Sequence, residues 1–424
     1  MLRLTVENFS CIREAELEIN PFTILIGPQA SGKSVLSKLV YFFIDQVNEQ
    51  YKSLLEGLSF DDFTSNLKTS FAEWFPTAAW GEGKFKIGFE MGLYRIKLAR
   101  TSYDDAVKDG IRITTSTVVK EHYRKSAELL RSLRSKAPNK RGLPEYASEL
   151  DIQWKLREAS DDLLRKDVGR DAVTALTFIP AGRSFFTTLG RAFVAFDQNK
   201  SLDPATLNFG RLYANISTHV RFLRQQSRRM NQFETDLASM LGGQLVYQGS
   251  EARFKCDDGR TMPLAALSSG QQELLPLVST LTVLSHQDED RHLIFIEEPE
   301  AHLFPESQSK LIATLAQLVN DAKRKRTLFI TTHSPYVLSK INNLLKAGAL
   351  APKLSSEKAE RLAALVPAAK QLKPHAVAAY ALVDGVLVSL VDGETGLIDA
   401  DYLDSASGRI GDEFSDLLEL EYGG

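Results

Sequence analysis

Gly27-Pro28-Gln29-Ala30-Ser31-Gly32-Lys33-Ser34 sits between an apolar run, Phe22 to Ile26, and a stretch from Lys33 to Phe43 that places Val35, Leu36, Leu39 and Val40 on one helical face. A strand, a glycine loop and a helix in that order match the phosphate-binding pattern G-x-x-x-x-G-K-[ST]. The glycines allow backbone N–H groups to curl around phosphate oxygens, and the helix N-terminus adds the positive end of its dipole. Lys33 is expected to reach the β- and γ-phosphates, and the Ser34 hydroxyl to ligate Mg2+. A nucleotide's phosphates with Mg2+ are therefore the expected ligands, with Gly27 to Val35 as the nucleotide-binding segment.

Outward from the loop, Leu2 to Val6 and Ala15 to Ile19 read as a hairpin, and Lys84 to Met91 with Leu93 to Leu98 as a strand pair around Gly92. Ser116 to Lys136 and Leu143 to Lys166 read as helices separated by Pro138, Gly142 and Pro144. Helices of this length span only roughly 30 Å, so they form short arms at most. Leu245 to Gln248 and Ala252 to Cys256 return to strand, with Asp257-Asp258-Gly259 as a hairpin loop.

Three further blocks carry chemistry. Leu293-Ile294-Phe295-Ile296 is a continuous apolar run that suits a strand buried on both faces. It delivers Glu297 and Glu298 at its end, and neighbouring strand residues point to opposite sides. Glu297 is the candidate for holding Mg2+ through water, and Glu298 for orienting and polarising the attacking water, because phosphoryl transfer depends chiefly on positioning and charge stabilisation. Ser268 in Leu267-Ser268-Ser269-Gly270-Gln271-Gln272 is a helix N-cap, and the N–H groups near Ser269 and Gly270 make an anion site. Pro276 is expected to kink the helix that follows or to mark its restart. Thr327-Leu328-Phe329-Ile330 is another buried strand, ending at His333-Ser334-Pro335. His333 is placed to contact the γ-phosphate or the lytic water.

The 424 residues divide into 51 Lys+Arg and 54 Asp+Glu, a formal charge of −3, with 43% hydrophobic residues and two cysteines. Those values argue against wholesale disorder, a globally basic nucleic-acid binder, a disulfide framework and a cysteine zinc site. Met1 to Ile19 reads as strand, not as a signal peptide, and Ala376 to Val391, broken by Asp384-Gly385, is too short to span a bilayer. A cytoplasmic protein with no membrane partner is expected. Charge is unevenly spread: Ile111 to Gly142 holds nine Lys/Arg against two acids, and Arg221, Arg224, Arg228 and Arg229 form a second basic cluster. From Ala381 to Gly424 eleven acids accompany one basic residue, Arg409. That asymmetry suggests a basic working surface and an acidic, separately packed tail.

Taken together the blocks resemble the ABC-type ATPase heads of the SMC, RecF and OLD group. Gly27 to Ser34 matches Walker A, Leu267 to Gln272 the signature, Leu293 to Glu298 Walker B with its glutamate, and His333 the switch histidine. Glu297-Glu298-Pro299-Glu300-Ala301-His302-Leu303 with Pro305, and Thr331 to Pro335, fit the RecF/OLD-like branch. The resemblance covers roughly residues 1–45 and 245–345, and implies an α/β head with a mixed or parallel sheet around the phosphate loop plus a short helical insertion. It also implies two heads face to face, with Ser268, Ser269, Gly270 and Gln271 of one acting on ATP held by Lys33 of the other. ATP then closes the dimer and hydrolysis opens it.

The family's Q-loop glutamine has no clear counterpart; Gln153 is a weak candidate, and Phe178 to Ser184 is an alternative link, with Arg183 read as structural. A stand-alone head resembles the ATPase subunits of bacterial phage-defence modules, such as the AriA subunit of PARIS, which control a separate effector, often a nuclease. The expected organisation is 1–105, the first part of the head; 106–235, a helical basic insertion; 236–345, the second part of the head; and 346–424, an acidic segment packed on it. The leading expectation is an ATP-driven switch, homodimeric or a multiple of dimers, controlling an effector in anti-phage defence. The alternative is a RecF-like DNA-maintenance ATPase in which the basic insertion tracks phosphates.

Overall fold

A computed structural model describes residues 2–100, 110–136, 145–189, 202–226, 230–248, 251–287, 291–321, 323–399 and 412–418. The break around Pro138 to Pro144, the basic residues Lys140, Arg141, Arg228 and Arg229, and most of the acidic end lie outside the described residues.

The strands are β1 (Leu2–Phe9), β2 (Ile12–Glu18), β3 (Phe22–Ile26), β4 (Phe85–Met91), β5 (Tyr94–Arg100), β6 (Ile111–Thr115), β7 (Ala175–Ile179), β8 (Gly243–Gln248), β9 (Glu251–Cys256), β10 (Thr261–Pro263), β11 (His292–Glu297), β12 (Arg326–Thr332), β13 (Val377–Val383) and β14 (Val386–Ser389). The helices are α1 (Lys33–Leu55), α2 (Phe60–Trp74), α3 (Thr117–Lys136), α4 (Glu145–Val168), α5 (Ser184–Leu189), α6 (Pro204–Gln226), α7 (Gln232–Ser239), α8 (Ser269–His286), α9 (Pro305–Val319), α10 (Pro335–Leu350) and α11 (Ser356–Leu365).

Eleven strands form one sheet in the order β6-β5-β4-β1-β2-β14-β13-β3-β12-β11-β7. From β13 to β7 neighbours run parallel; β6 to β2 are joined antiparallel. This is the mixed α/β architecture expected from the sequence. The parallel half explains its continuous apolar strands, because helices cover both faces. Ile24, Ile26, Ile294, Ile296, Leu328 and Ile330 belong to one core. Leu25, Leu293, Phe295 and Phe329 belong to the core on the opposite face. The period-2 alternation of a strand thus splits each run between two cores. A smaller cluster of Tyr51, Leu54, Phe63, Tyr123, Leu130 and Leu156 packs the insertion helices α3 and α4 on α1 and α2.

The segment 346–424 does more than pack on the outside. Its strand β13 pairs in parallel with β3, Val377 opposite Phe22 and Ala381 opposite Ile26, and so lies in the middle of the sheet. The apolar run Ala376 to Val391 is therefore a hairpin of β13 and β14. Asp384 and Gly385 both adopt positive φ, 47° and 77°, as a two-residue turn with right-handed strand twist requires. At Gly385 a Cβ would lie 2.7 Å from the Cys11 carbonyl oxygen, so glycine is needed there for space as well as for φ. Beyond the hairpin, Ile398 is still buried in the core, held by Asn342.

Pro276 neither ends nor restarts its helix; α8 runs through it from Ser269 to His286. Among the described residues no helix is long and apolar enough to cross a membrane.

Candidate functional site

The carboxyl ends of β3, β12, β11 and β7 meet at one edge of the parallel half, where an open α/β sheet leaves a crevice. Behind β3 the loop turns on residues with positive φ: Gly27 at 154°, Ala30 at 58° and Gly32 at 107°. Gly32 is the N-cap of α1 and supplies no side-chain cap, so the first turn of the helix offers main-chain N–H groups. A Cβ on Gly32 would meet Cys11 Sγ at 2.8 Å, which ties the loop's conformation to the β1–β2 turn. Pro28, Gln29 and Ala30 are exposed at the tip, whereas Lys33 is buried. Its ammonium donates to the carbonyl oxygens of Gly27 at 2.8 Å and Pro28 at 2.7 Å. Burial lowers the Lys33 pKa, and the nearby Glu298, Glu297 and Glu300 carboxylates oppose that shift. The loop lysine and three acids of the Walker B block thus share one electrostatic site. Ser34 and Val35 open the helix, Ser34 exposed and Val35 half-buried.

Glu297 ends β11 and is buried; its Oε2 accepts weakly from the Ala181 N–H at 3.4 Å, and its Oε1 has no hydrogen-bond partner. Ser31 Oγ and Glu300 Oε2 are likewise buried without one. Orphaned hard oxygen donors beside a phosphate loop fit a divalent cation such as Mg2+, which takes few protein ligands and completes its shell with phosphate and water oxygens. Glu297, with its unpartnered Oε1, fits this role, and Ser34 is exposed at the start of α1.

Glu298 departs from simple strand alternation. It lies one residue past β11 with φ 44°, in the left-handed region that a non-glycine residue enters at a cost of about 1–3 kcal/mol. Its N–H donates to Thr331 O at 2.9 Å and its carbonyl accepts from Ala301 N at 3.0 Å, which hold the turn. The turn brings Glu298 Oε1 to 3.0 Å from His333 Nε2, with both side chains about one-third exposed. The two residues proposed from separate sequence blocks are thus in direct contact.

Glu300 was quoted in the sequence only as part of a motif, yet it organises the site. Its Oε1 accepts from Thr332 Oγ1 at 2.6 Å and from the His333 N–H at 2.9 Å. The sole sequence signal for it was its position two residues after Glu298. Arg183 is wholly buried, and its side chain donates to four main-chain carbonyls, those of Glu273, Pro180, Glu297 and Glu298. The Pro180 to Arg183 turn follows β7 beside β11, where Ala181 reaches Glu297; Gln153 instead lies on α4, hydrogen-bonded to Tyr51.

The Leu267 to Gln272 block begins α8 as expected. Ser268 is the N-cap in a capping box with Gln271: Ser268 Oγ accepts from Gln271 N, and Gln271 Oε1 accepts from Ser268 N. Gln271 Nε2 is also spent within the chain, on Leu241 O at 2.9 Å. Ser269 is exposed. Gly270 is close to the His302 main chain, where an added Cβ would lie 2.9 Å from the carbonyl oxygen, so its smallness serves packing in the chain itself.

In the basic insertion, Arg124 pairs with both Glu121 and Glu128, and Lys125 lies 3.6 Å from Asp167. Part of the positive face is therefore neutralised within the protein. Arg221 and Arg224 lie on α6, where their side chains fall outside the described residues.

Residues 22–339 match the family described as "AAA domain, putative AbiEii toxin, Type IV TA system". Solved structures with similarity to the chain include an SMC head bound to the C-winged helix domain of ScpA, at 12% identity and TM-score 0.40, covering 92% of this chain and 96% of that one. An SMC head domain from Thermotoga maritima is 13% identical with TM-score 0.35, covering 92% and 97%. An SMC head with an extended coiled coil, bound to the C-terminal domain of ScpA derived from Pyrococcus furiosus, is also 13% identical with TM-score 0.35, covering 92% and 95%.

Proposed function

The chain belongs to the AAA-domain family matched over residues 22–339, and from that premise we propose that it is an ATP-binding and ATP-hydrolysing dimeric switch that controls an effector partner in bacterial anti-phage defence. The observation that carries the hydrolytic part is the 3.0 Å contact between Glu298 and His333 beside the loop that holds Lys33. Lys33 and the first-turn N–H groups of α1 bind the phosphates, while Ser34 and Glu297 hold Mg2+, which when bound neutralises charge on the phosphate oxygens. Glu298 orients the attacking water and polarises it; His333 keeps the Glu298 carboxylate in place and faces the γ-phosphate. Exposed Ser269, with Gly270, acts on the nucleotide of a second copy, so that ATP closes the pair and hydrolysis releases it. The family's association with a putative toxin of a type IV toxin–antitoxin system supports a role beside a separate partner, for which we take a nuclease as the leading candidate.

A DNA-maintenance ATPase is the second reading, and the internal pairing of Arg124 and Lys125 weakens it. One set of measurements tests both: ATP turnover with and without duplex DNA at two salt concentrations, alongside the oligomeric state by light scattering. Lys33→Ala should lose nucleotide binding. Glu298→Gln should bind ATP and accumulate as the closed dimer, and Ser269→Arg should bind ATP but stay monomeric. A Glu298→Gln protein that turns over ATP at the wild-type rate removes the catalytic assignment. Strong, salt-sensitive stimulation by DNA favours the second reading.

A further inference from the structure

Arg183 is the largest side chain without solvent access among the described residues, and it ties three elements together. On α8, Nε donates to Glu273 O at 3.1 Å and lies 3.6 Å from the Glu273 carboxylate. Nη1 donates to Pro180 O at 3.1 Å, after β7, and to Glu297 O at 2.7 Å, at the end of β11. Nη2 donates to Glu298 O at 3.0 Å. The Glu273 carboxylate in turn accepts from the main-chain N–H groups of Arg183 at 2.8 Å and Ser184 at 3.1 Å, and Thr187 Oγ1 donates to Gln272 O at 2.7 Å. The loop after β7 is thus bolted to the first turns of α8.

A buried ion pair is a poor device for stability alone, since well-packed apolar groups of similar volume often do as well. What the guanidinium fork adds is geometry. It holds carbonyls on α8 and on the Glu297–Glu298 turn at fixed separation, and an ammonium, a compact point charge, does not span that set. Glu273 lies four residues past Ser269, about 6 Å along the helix. A displacement of the signature turn therefore has a path to Glu298 through this side chain, beside the packing of Gly270 on the His302 main chain. Glu298 is already in a strained φ of 44°, so its carboxylate direction depends on what holds its carbonyl.

We propose that Arg183 is a positioning residue that couples the signature turn at Ser269 and Gly270 to the Glu298 turn of the same chain, so that engagement of a second copy's nucleotide sets Glu298 for hydrolysis. This inference rests on the dimeric ATPase reading above.

The test uses the full chain: wild type, Arg183→Lys, Glu273→Gln and the double variant, each measured for ATP turnover, fluorescent-nucleotide affinity, ATP-dependent dimerisation and hydrogen exchange of the 297–303 peptide. Arg183→Lys should lower kcat roughly 10–100-fold, the size of effect expected from misplacing a reacting group by about 1 Å, with KM and nucleotide affinity changed less than about threefold. It should still dimerise with ATP, yet lack the ATP-induced exchange protection of 297–303 expected of wild type. Glu273→Gln should lower kcat less, and the double variant should be no slower than Arg183→Lys alone, because both break one link. Should Arg183→Lys fail to fold, the kcat and exchange response of Glu273→Gln decides the matter. A folded Arg183→Lys with kcat within twofold of wild type, additive effects in the double variant, or retained protection of 297–303 would overturn the coupling. If wild type shows no turnover, or Glu298→Gln hydrolyses ATP as wild type does, the ATPase reading itself has failed and the coupling goes with it, a result distinct from the others.

Discussion

Glu300 offers a direct way to separate what holds the site from what reacts in it. Its Oε1 accepts two hydrogen bonds, from Thr332 Oγ1 and the His333 N–H, in a place where Glu300 is 8% exposed and Thr332 is fully buried. Glu300→Ala leaves both donors without that acceptor. An unsatisfied buried donor costs roughly 1–3 kcal/mol, and two such losses, partly relieved where half-buried His333 reaches water, sum to about 2–4 kcal/mol. That is a substantial part of the roughly 5–15 kcal/mol that a folded domain typically has. Glu300→Gln keeps an acceptor oxygen in the same place and should lose about 1 kcal/mol or less. Urea unfolding of the three proteins gives the difference, and ATP turnover below the unfolding transition gives the catalytic consequence. Turnover should fall for Glu300→Ala and largely persist for Glu300→Gln, because the His333 N–H anchor sets the ring that meets Glu298. Equal stability of the alanine and glutamine variants would refute the hydrogen-bond argument. An alanine variant that is destabilised yet fully active would show that His333 keeps its place by other contacts.

Gly348→Ala should destabilise, although alanine normally gains about 0.5–1 kcal/mol over glycine inside a helix, because the added Cβ on α10 would lie 2.0 Å from the Leu372 carbonyl oxygen. A loss of about 1–3 kcal/mol in urea unfolding is expected, and a gain would show that this contact is slack. Acid sensitivity should trace to buried histidines. Burial pushes His292 down to about 3, with Arg326 adding to the effect, and burial pushes His122 down to about 4 against the pull of Asp167. Between pH 5 and 6 the unfolded chain begins to bind protons at both while the folded chain does not, so stability falls as pH falls through this window. Asp45, raised to about 6 chiefly by burial, binds its proton in the folded state and offsets roughly one histidine. The net slope should approach about 1.4 kcal/mol per pH unit towards pH 5, and His292→Gln should nearly flatten it. An unchanged slope in that variant would assign the acid sensitivity to other groups.

The local chemistry of the site was legible because it is written in contiguous blocks. A phosphate loop needs glycines, a lysine and a hydroxyl at set offsets, and each strand that feeds the site is a run of Ile, Leu and Phe buried on both faces. The cap at Ser268 was readable for the same reason, since a capping box is closed within four residues. Short-range rules also held for the expected strand pairs, whose turns lie next to them in the chain.

What those rules left open depends on residues far apart in sequence. Alternation placed Glu297 and Glu298 on opposite sides, but the positive φ at Glu298 follows from its bonds to Thr331, Ala301 and Arg183. Arg183 is 90 residues before Glu273 and 115 before Glu298, and its apparent plainness in the sequence hid a buried fork joining both. The late apolar run is broken at Asp384-Gly385, yet nothing local says that its strand lies beside β3, over three hundred residues earlier. Composition marked the end of the chain as acidic and separate; burial of Val377 to Val383 on both faces decided otherwise. By itself the sequence determined the local shapes of the glycine loop, the helix cap and the strand ends, because each is closed within a few residues. Tertiary structure decided how those atoms are held relative to one another, because a buried carbonyl or carboxylate takes whichever donor the fold brings to it.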